Sequence, residues 1–283
     1  MLQDMAAPAQ GMAIIIPASN EEALIGRCLA ALAGQDQVPM PVEVIVVANG
    51  CRDGTVAAAT AAGEAITARG WGFRVIDLPQ GGKPGALTAG DAATGAGIRV
   101  YLDADVTLSP GFCAGIATVL SRPEAAWASG RVRITAQGAF SRAYARLWAR
   151  VPFMARGVPG CGVFAVNAAG RARWGDWPAI IADDTFARLT FAPGERHLVD
   201  AAYDWPIAEG FANLVKVRRR QDRGVAQLAE VHPALVGNDD KLPLGAGGLL
   251  RLAVTDPVGF VVYAAVAVRV RLGRSGDEWS RGR

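Results

Sequence analysis

The chain has 283 residues, of which 51% are hydrophobic and 19% are charged. This composition excludes an intrinsically disordered protein and allows one large α/β domain with a substantial core and a smaller appendage. The formal net charge of only +3 gives no reason to expect a nucleic-acid partner.

Cysteine usage and the first residues bear on the compartment. The four cysteines show neither CxxC spacing nor a paired framework, which is typical of a reducing cytosol and argues against zinc. Asp4 stands where a secretory signal would carry basic residues, and residues 12–16 are too short an apolar run for one. We therefore expect a cytoplasmic protein.

Between residues 12 and 105, apolar runs alternate with helical patterns, which is the signature of βαβ units on a parallel sheet. The apolar runs predict strands at 12–17, 42–48, 73–78 and 98–103. The helical spacing predicts helices at 22–33, 55–69 and 84–93. Ser19 and Asn20 are candidates to cap the first helix. The predicted fold class is α/β, with a Rossmann-like, mostly parallel central sheet flanked by helices.

Each predicted strand ends in a polar loop, and the carboxyl ends of parallel strands meet at one edge of a sheet. The loops cover residues 17–22, 49–55, 80–85 and 103–105. Lys83 supplies a positive charge, and the glycines let backbone N–H groups approach anionic oxygens. Any one loop is explained by ordinary turn chemistry, but the four together predict a pocket for a nucleotide and its phosphates.

The fourth strand ends in two carboxylates, Asp103 and Asp105, which are separated by Ala104. Oxygen ligands of this kind suit Mg²⁺ or Mn²⁺, which commonly bridge protein carboxylates and substrate phosphates. The same pattern also occurs as a solvated turn or a helix cap, so alone it leaves both interpretations open.

The second half of the chain offers two further candidates. Gly160, Cys161 and Gly162 form a glycine turn before an apolar run, and the third glycine of a dinucleotide-binding fingerprint is missing. Asp183 and Asp184 open an amphipathic helical pattern. They are explained equally well as catalytic carboxylates and as a helix cap with a first-turn charge.

Residues 237–283 are predicted to form a C-terminal helical appendage. Residues 257–268 are uncharged, but they are only about half of the ~20 residues needed to span a bilayer. The helix either lies on a membrane surface, with arginines reaching anionic headgroups, or packs on the domain. The arginines that crowd this end are Arg251, Arg269, Arg271, Arg274, Arg281 and Arg283.

Taken in order, the loop motifs resemble those of glycosyltransferase family 2, inverting enzymes with the GT-A fold. Residues 16–22 (IPASNEE) are similar to the opening strand and loop of that family. Residues 46–55 (VVANGCRDGT) are similar to its VVDDGSxDGT motif, residues 82–87 (GKPGAL) to its third motif, and residues 103–105 to its DxD metal motif. The resemblance favours a UDP-sugar as donor. Because Ala48 and Asn49 replace two acids that often read the base in that family, a GDP-sugar stays open.

The resemblance implies a GT-A domain over residues 11–236, with a nucleotide-sugar half at about 11–106 and an acceptor half at about 107–236. It implies Asp184 as the general base and Mn²⁺ or Mg²⁺ as cofactor. The donor-side residues expected are Pro17, Ser19, Asn20, Glu21, Asn49, Asp53, Lys83, Asp103, Ala104, Asp105, Arg218 and Arg220. The acceptor-side residues expected are Gly160, Cys161, Gly162 and Asp183.

Asp105 is expected to bind the metal directly, with Asp103 bridging to it and His232 as a candidate third ligand. A plain loop histidine is the alternative for His232, and a solvated basic helix end is the alternative for Arg218 and Arg220. Residues 217–224 resemble the QxxRW region of processive synthases, but the Gln and Trp are replaced. We therefore expect transfer of a single sugar.

The predicted function is metal-dependent, inverting transfer of a sugar from a nucleotide-diphosphate sugar to a hydroxyl acceptor in a glycan or a lipid-linked substrate. Peripheral contact with the inner face of the cell membrane is expected if the C-terminal segment touches lipid. A sugar-phosphate nucleotidyltransferase is an alternative, although the first loop lacks the glycines that bind a triphosphate. A catalytically degenerate, membrane-associated interaction module is a second alternative. The retained Asp103, Asp105 and Asp184 argue against it.

Overall fold

The computed structural model describes residues 11–273. Its strands form one sheet in the order β3-β2-β1-β4-β7-β6-β8-β5. The strands are β1 (Met12–Ala18), β2 (Val42–Asn49), β3 (Gly72–Leu78), β4 (Ile98–Leu102), β5 (Thr107–Leu108), β6 (Trp127–Thr135), β7 (Val163–Asn167) and β8 (Arg196–Pro206).

The helices cover both faces of this sheet and continue beyond it. They are α1 (Glu22–Ala33), α2 (Thr55–Ala68), α3 (Lys83–Ala92), α4 (Phe112–Leu120), α5 (Ala139–Trp148), α6 (Pro152–Arg156), α7 (Ala168–Arg171), α8 (Asp183–Leu189), α9 (Phe211–Val231), α10 (Ala246–Thr255) and α11 (Pro257–Leu272). Short 3₁₀ turns lie at Pro193–Glu195 and Pro233–Asn238.

The first four strands are parallel, as the alternating pattern predicts. β1 pairs with β2 on one side and β4 on the other, and β2 pairs with β3. β1 and β2 are buried almost throughout because helices cover both faces, which is why they read as continuous apolar runs. The predicted strand and helix boundaries in this half agree with the structure to within one residue.

The predicted cap of α1 is wrong. Glu21 occupies the capping position, and its side chain makes no capping hydrogen bond. Asn20 adopts a left-handed conformation with φ of 55°, and its Oδ1 accepts a hydrogen bond from the backbone N–H of Arg52 at 2.8 Å. Asn tolerates this conformation better than most residues, so Asn20 links two loops instead of starting the helix.

The second half of the sheet is mixed. β7 runs antiparallel to both β4 and β6, β6 pairs in parallel with β8, and β8 pairs antiparallel with β5. The pairing of β4 with β7 sets Leu102 opposite Val163. The backbone N–H of Asp103 then donates to the carbonyl of Gly162 at 2.8 Å. This register brings the Gly160–Gly162 turn beside the acids that follow β4.

Two apolar cores lie on the two sides of the sheet, and a third cluster joins the C-terminal helices to the domain. The third cluster is built from Tyr144, Leu214, Val215 and Val266, so one side of α11 packs on α5 and α9. Within residues 11–273, no helix has both the length and the apolar character required to cross a bilayer. Of the basic residues predicted to crowd this end, Arg274, Arg281 and Arg283 lie outside the described residues.

Candidate active site

The loops that follow β1, β2 and β3 are fixed to one another by Asn49. Its Nδ2 donates to the carbonyl of Ala18 at 2.9 Å, and its Oδ1 accepts from the backbone N–H of Gly82 at 3.0 Å. The side chain is 4% exposed. Asn49 was expected on the donor side; its amide bonds the backbone, where it sets the relative position of three loops.

Asp53, Ser19 and Glu21 lie on the same pair of loops. Asp53 accepts from the backbone N–H of Thr55 at 3.1 Å and from that of Glu22 at 3.3 Å. The backbone N–H of Glu21 donates to the hydroxyl of Thr55 at 2.8 Å, while Ser19 is half-buried beside it. These contacts cross-link the first two loops, so the donor-side edge is held in shape before any ligand arrives.

A crevice opens at this edge of the sheet. Asp103 reaches it from the end of β4, Lys83 from the start of α3, and Asp183 and Asp184 from the start of α8. The residues that line it are Pro17, Lys83, Leu87, Tyr101, Leu102, Asp103, Gly162, Phe164, Asp183 and Asp184. Six of the predicted site residues, which are far apart in the chain, therefore meet at one place.

Lys83 occupies the centre of this arrangement. Its Nζ lies 2.9 Å from Oδ1 of Asp103 and 2.9 Å from Oδ2 of Asp183. Burial disfavours the charged ammonium, but the carboxylates of Asp103, Asp183 and Asp184 outweigh that effect and raise the pKa of Lys83 above its ordinary value. Lys83 is therefore a fixed cation between a donor-side acid and an acceptor-side acid.

The two adjacent acids of α8 differ in environment. Asp183 is buried, and burial raises its pKa from 3.8 to about 6, with Lys83 opposing the shift and Asp184 and Asp103 adding to it. Asp184 is half-buried and lines the crevice. The hydrogen bonds that Asp184 makes with Thr185 both end on Oδ1, from the backbone N–H at 2.6 Å and the hydroxyl at 3.3 Å. Its Oδ2 accepts neither of these two hydrogen bonds.

The acids at 103 and 105 point to different surroundings. Asp103 faces the crevice, whereas Asp105 is 8% exposed and lies close to Cys28 of α1, with the small, buried Ala104 between them. Burial raises the pKa of the Cys28 thiol far above its usual range, and the nearby carboxylates of Asp105 and Asp103 add to that rise. Cys161, in the glycine turn, is half-buried.

His232 follows the end of α9, and its ring packs against Phe186 of α8 with the centroids 5.1 Å apart. Its Nε2 is buried and has no hydrogen-bond partner among residues 11–273. No group of three His, Cys, Asp or Glu side chains within those residues is close enough to hold a metal alone. A hard cation here would need oxygens from phosphate and water to complete its shell.

Arg218 lies in the C-terminal cluster instead of at the crevice. Its guanidinium donates to the hydroxyls of Tyr144 at 3.4 Å and Tyr263 at 3.3 Å, and to Asp222 at 3.1 Å. None of these three residues lines the crevice. Arg220, also expected to contact a diphosphate, is half-buried on the same helix, α9. Both arginines stand in the middle of α9, because the helix extends further than the sequence pattern indicated.

The sequence analysis missed Asp91, which supports the crevice from behind. Its carboxylate accepts from the hydroxyl of Tyr101 at 2.7 Å, from Nε1 of Trp177 at 2.8 Å and from Nε of Arg171 at 2.9 Å. Arg99 pairs with it at 3.1 Å. Asp91 therefore ties the helix of Lys83 to the segment that leads into α8. The sequence did carry a signal for Asp91. This carboxylate follows the buried Leu87 by four residues, so both lie on the same, inner face of the predicted helix.

Over residues 13–174, more than half of its length, the chain matches the family described as Glycosyl transferase family 2. The chain belongs to this family. The match ends before Asp183 and Asp184, so for α8 and the segments after it the likeness rests on solved structures alone. No curated protein matches this glycosyltransferase in sequence.

Solved glycosyltransferases of low sequence identity share the GT-A fold of this enzyme. A mannosyltransferase from Pyrobaculum calidifontis, in complex with GDP-Man and Mn²⁺, has 21% identity and a TM-score of 0.56 over 95% of this chain and 79% of that one. Glucosyl-3-phosphoglycerate synthase from Mycobacterium tuberculosis, with Mn²⁺ and UDP, has 22% identity and a TM-score of 0.55 over 82% of this chain and 81% of that one. TarS 1–349 from S. aureus, with UDP, has 12% identity and a TM-score of 0.54 over 93% of this chain and 92% of that one.

Proposed function

We propose that this glycosyltransferase moves a single sugar from a nucleotide-diphosphate sugar to a hydroxyl acceptor with inversion at the anomeric carbon. The observation that carries this proposal is the meeting of Asp103, Lys83, Asp183 and Asp184 in one crevice at the carboxyl ends of the parallel strands. Open α/β sheets bind their ligands at that edge. Donor-side and acceptor-side groups are then close enough to act on one bond.

The proposed donor is a UDP-sugar, with a GDP-sugar as the alternative. Solved structures of the same fold hold UDP or GDP-Man, and two of them hold Mn²⁺ as well. In this chain Asp103 and Asp105 would supply carboxylate oxygens to Mn²⁺ or Mg²⁺, and oxygens of the diphosphate and of water would complete the shell, because His232 forms no group of three ligands with them among residues 11–273. When bound, the cation supplies positive charge that stabilises the leaving diphosphate.

Asp184 is the proposed general base. Inverting transfer needs one carboxylate that takes the proton of the acceptor hydroxyl as the new bond forms. Its Oδ2 accepts neither of the Thr185 hydrogen bonds, while Asp183 is paired with Lys83, and these contacts support the assignment. Lys83 would exchange Asp183 for diphosphate oxygens, since an ammonium is a common partner of phosphate.

The acceptor side is assigned to the Gly160–Gly162 turn, whose carbonyl at Gly162 fixes Asp103. We propose that residues 11–236 form the catalytic unit and that the segment from residue 237 contacts the inner face of the cell membrane. A lipid-linked acceptor, or one used in polysaccharide or glycolipid synthesis, would suit an enzyme held there.

A panel of nucleotide sugars tests the donor and the metal together. In the presence of Mn²⁺, the correct donor at 100 times its dissociation constant should add about 2.7 kcal/mol to the free energy of unfolding. Thermal unfolding measures this shift. Asp105→Ala should abolish the Mn²⁺-dependent part, whereas Asp200→Ala, a fully exposed carboxylate on β8, should leave it unchanged.

The same panel tests the base. Asp184→Ala should keep the donor-induced shift and lose turnover, because the base acts on the acceptor and not on the nucleotide. Full turnover by Asp184→Ala would show that another group takes the proton. A Mn²⁺-dependent shift that survives Asp105→Ala would show that the metal lies elsewhere.

A further inference from the structure

The outward side of α11 is apolar along its whole length. Its exposed residues recur at helical spacing, and the large ones are 54% to 76% exposed. We call this set the outer stripe: Val258, Val261, Ala265, Val268 and Leu272. A surface helix normally turns polar residues to water. Here both sides of α11 are apolar, and only the inner side is covered by the protein.

The preceding helix continues the same character. In α10, Leu249, Leu250 and Val254 are 45%, 66% and 73% exposed, while Leu252 is buried. The two helices are joined at Asp256, which ends α10 and caps α11 by accepting from the backbone N–H of Gly259. We call α10 and α11 together the hairpin. Its exposed apolar residues lie on two consecutive helices, whereas exposed apolar residues on a soluble domain are usually scattered singly.

The charges of the hairpin have one sign. Within residues 246–272 the one acidic residue is Asp256, which is buried and bonded twice at 2.8 Å to Arg146 of α5. Arg251, Arg269 and Arg271 are exposed. The free surface is therefore apolar with a positive border. A second copy of this surface would bring arginine against arginine, whereas an anionic lipid surface complements both features.

The hairpin is anchored to the catalytic domain from its inner side. Tyr263 of α11 stacks on Tyr144 of α5 with the ring centroids 5.0 Å apart, and Arg218 of α9 bonds both hydroxyls. Val266 is 1% exposed in the same cluster. The other side of α11 therefore already packs on the domain, and among residues 11–273 nothing covers the outer stripe.

We propose that the outer stripe, with Leu250 and Val254, docks this glycosyltransferase onto an anionic phospholipid surface, with α11 lying in the plane of the interface. This inference rests on the membrane contact proposed above and adds the surface and the lipid chemistry. The valines and leucines enter the acyl boundary, while Arg251, Arg269 and Arg271 pair with lipid phosphates. Its test needs no turnover, so it stands or falls separately from the proposed reaction.

Flotation of the whole chain with vesicles tests the proposal. The wild type should bind vesicles of phosphatidylcholine with phosphatidylglycerol at least about tenfold more tightly than vesicles of phosphatidylcholine alone, and added salt should weaken that binding. The double variant Val261→Glu, Val268→Glu should lose binding by about tenfold or more, since it removes apolar contact and adds negative charge. Arg269→Gln with Arg271→Gln should weaken binding by about fivefold per arginine on the anionic vesicles only.

Val225→Glu with Val231→Glu is the matched control, because these valines are also exposed but lie on α9. Circular dichroism should show every variant folded. The proposal is overturned if the wild type does not bind the anionic vesicles, or if the control pair weakens binding as much as the outer-stripe pair. Sedimentation that finds a dimer dissociated by Val261→Glu, without vesicle binding, would instead show a subunit interface.

Discussion

The crevice and the hairpin depart from the usual distribution of side chains in opposite directions. In the crevice, Lys83, Asp103 and Asp183 lie together in a partly desolvated site. On the hairpin, Val254 and Leu272 are 73% and 76% exposed. The cost of burying charge in the crevice is offset within the chain, because Lys83 lies between Asp103 and Asp183. On the hairpin, nothing in the described residues covers the outer stripe. Buried charges in the crevice are therefore paired within the chain, whereas the exposed apolar surface of the hairpin is available to a partner.

The largest expected effect concerns the crevice. Asp184→Asn keeps the shape of the side chain but removes its ability to take a proton, so transfer should fall by about 10²- to 10⁴-fold. Initial rates with the donor found by the nucleotide-sugar panel measure this loss. Donor binding should stay within about twofold. A variant that loses donor binding and turnover together would show that Asp184 acts on the nucleotide.

The next prediction concerns the link between the two regions. Arg188 of α8 is 1% exposed and donates to Asp239 and Asp240, both at 2.6 Å, in the segment that leads to the hairpin. Arg188→Met leaves Asp239 without this partner in a partly buried position, so the free energy of unfolding should fall by about 3 kcal/mol. Urea denaturation measures it.

Arg173→Met is the control for that experiment. Arg173 pairs with Glu195 in a more exposed position, and pairs of this kind contribute about 0 to 1 kcal/mol. Equal losses from the two variants would mean that burial does not distinguish the two pairs.

A pH dependence of stability sharpens the picture of buried charge. Asp183 has a folded pKa of about 6 against 3.8 when unfolded. Between those values the folded state holds the proton more tightly, so the contribution of Asp183 to stability is complete below pH 4 and is lost as the pH rises through 6. Relative to Asp183→Asn, the wild type should lose about 2 kcal/mol between pH 4 and pH 7. A constant difference across that range would show that Asp183 titrates normally.

The smallest expected effect tests the outer stripe as a surface that the fold does not need. Val261→Ser should change the free energy of unfolding by less than about 0.5 kcal/mol, because Val261 is exposed in the isolated chain. Val266→Ser, on the inner side of the same helix, should cost about 2 kcal/mol or more. Thermal unfolding of the two variants gives the comparison directly. A large loss from Val261→Ser would place this residue inside the fold.

Much of the donor half of the fold was predictable because its physics is local. Fully covered parallel strands read as apolar runs, and the polar loops at their carboxyl ends mark the ligand edge. The resemblance to family 2 implies that Asp103, Asp105 and Asp184 belong to one site; Asp103 and Asp184 line the crevice, and Asp105 does not. The meeting of Lys83 with Asp183, separated by one hundred positions in sequence, depends on the packing of α8 and has no local signal.

The wrong cap and the unforeseen contacts have physical reasons of the same kind. Asn20 is a residue type that often caps helices, but its side chain accepts from Arg52 instead. The amide of Asn49 bonds Ala18 and Gly82, which are far from it in sequence. Arg218 carried the charge of a phosphate ligand, and only the fold reveals that Tyr144 and Tyr263 surround it. Asp91 was overlooked because its partners come from β4, α7 and the segment after α7.

The ammonium of Lys83 has a consequence for the order in which substrates arrive. Lys83 already pairs with Asp103, so it would oppose a cation that arrived alone, and Asp103 and Asp183 would repel a diphosphate that arrived alone. With a complex of cation and nucleotide, Lys83 would pair with the diphosphate and Asp103 would hold the cation. Saturation kinetics should therefore follow the concentration of that complex, and neither component on its own.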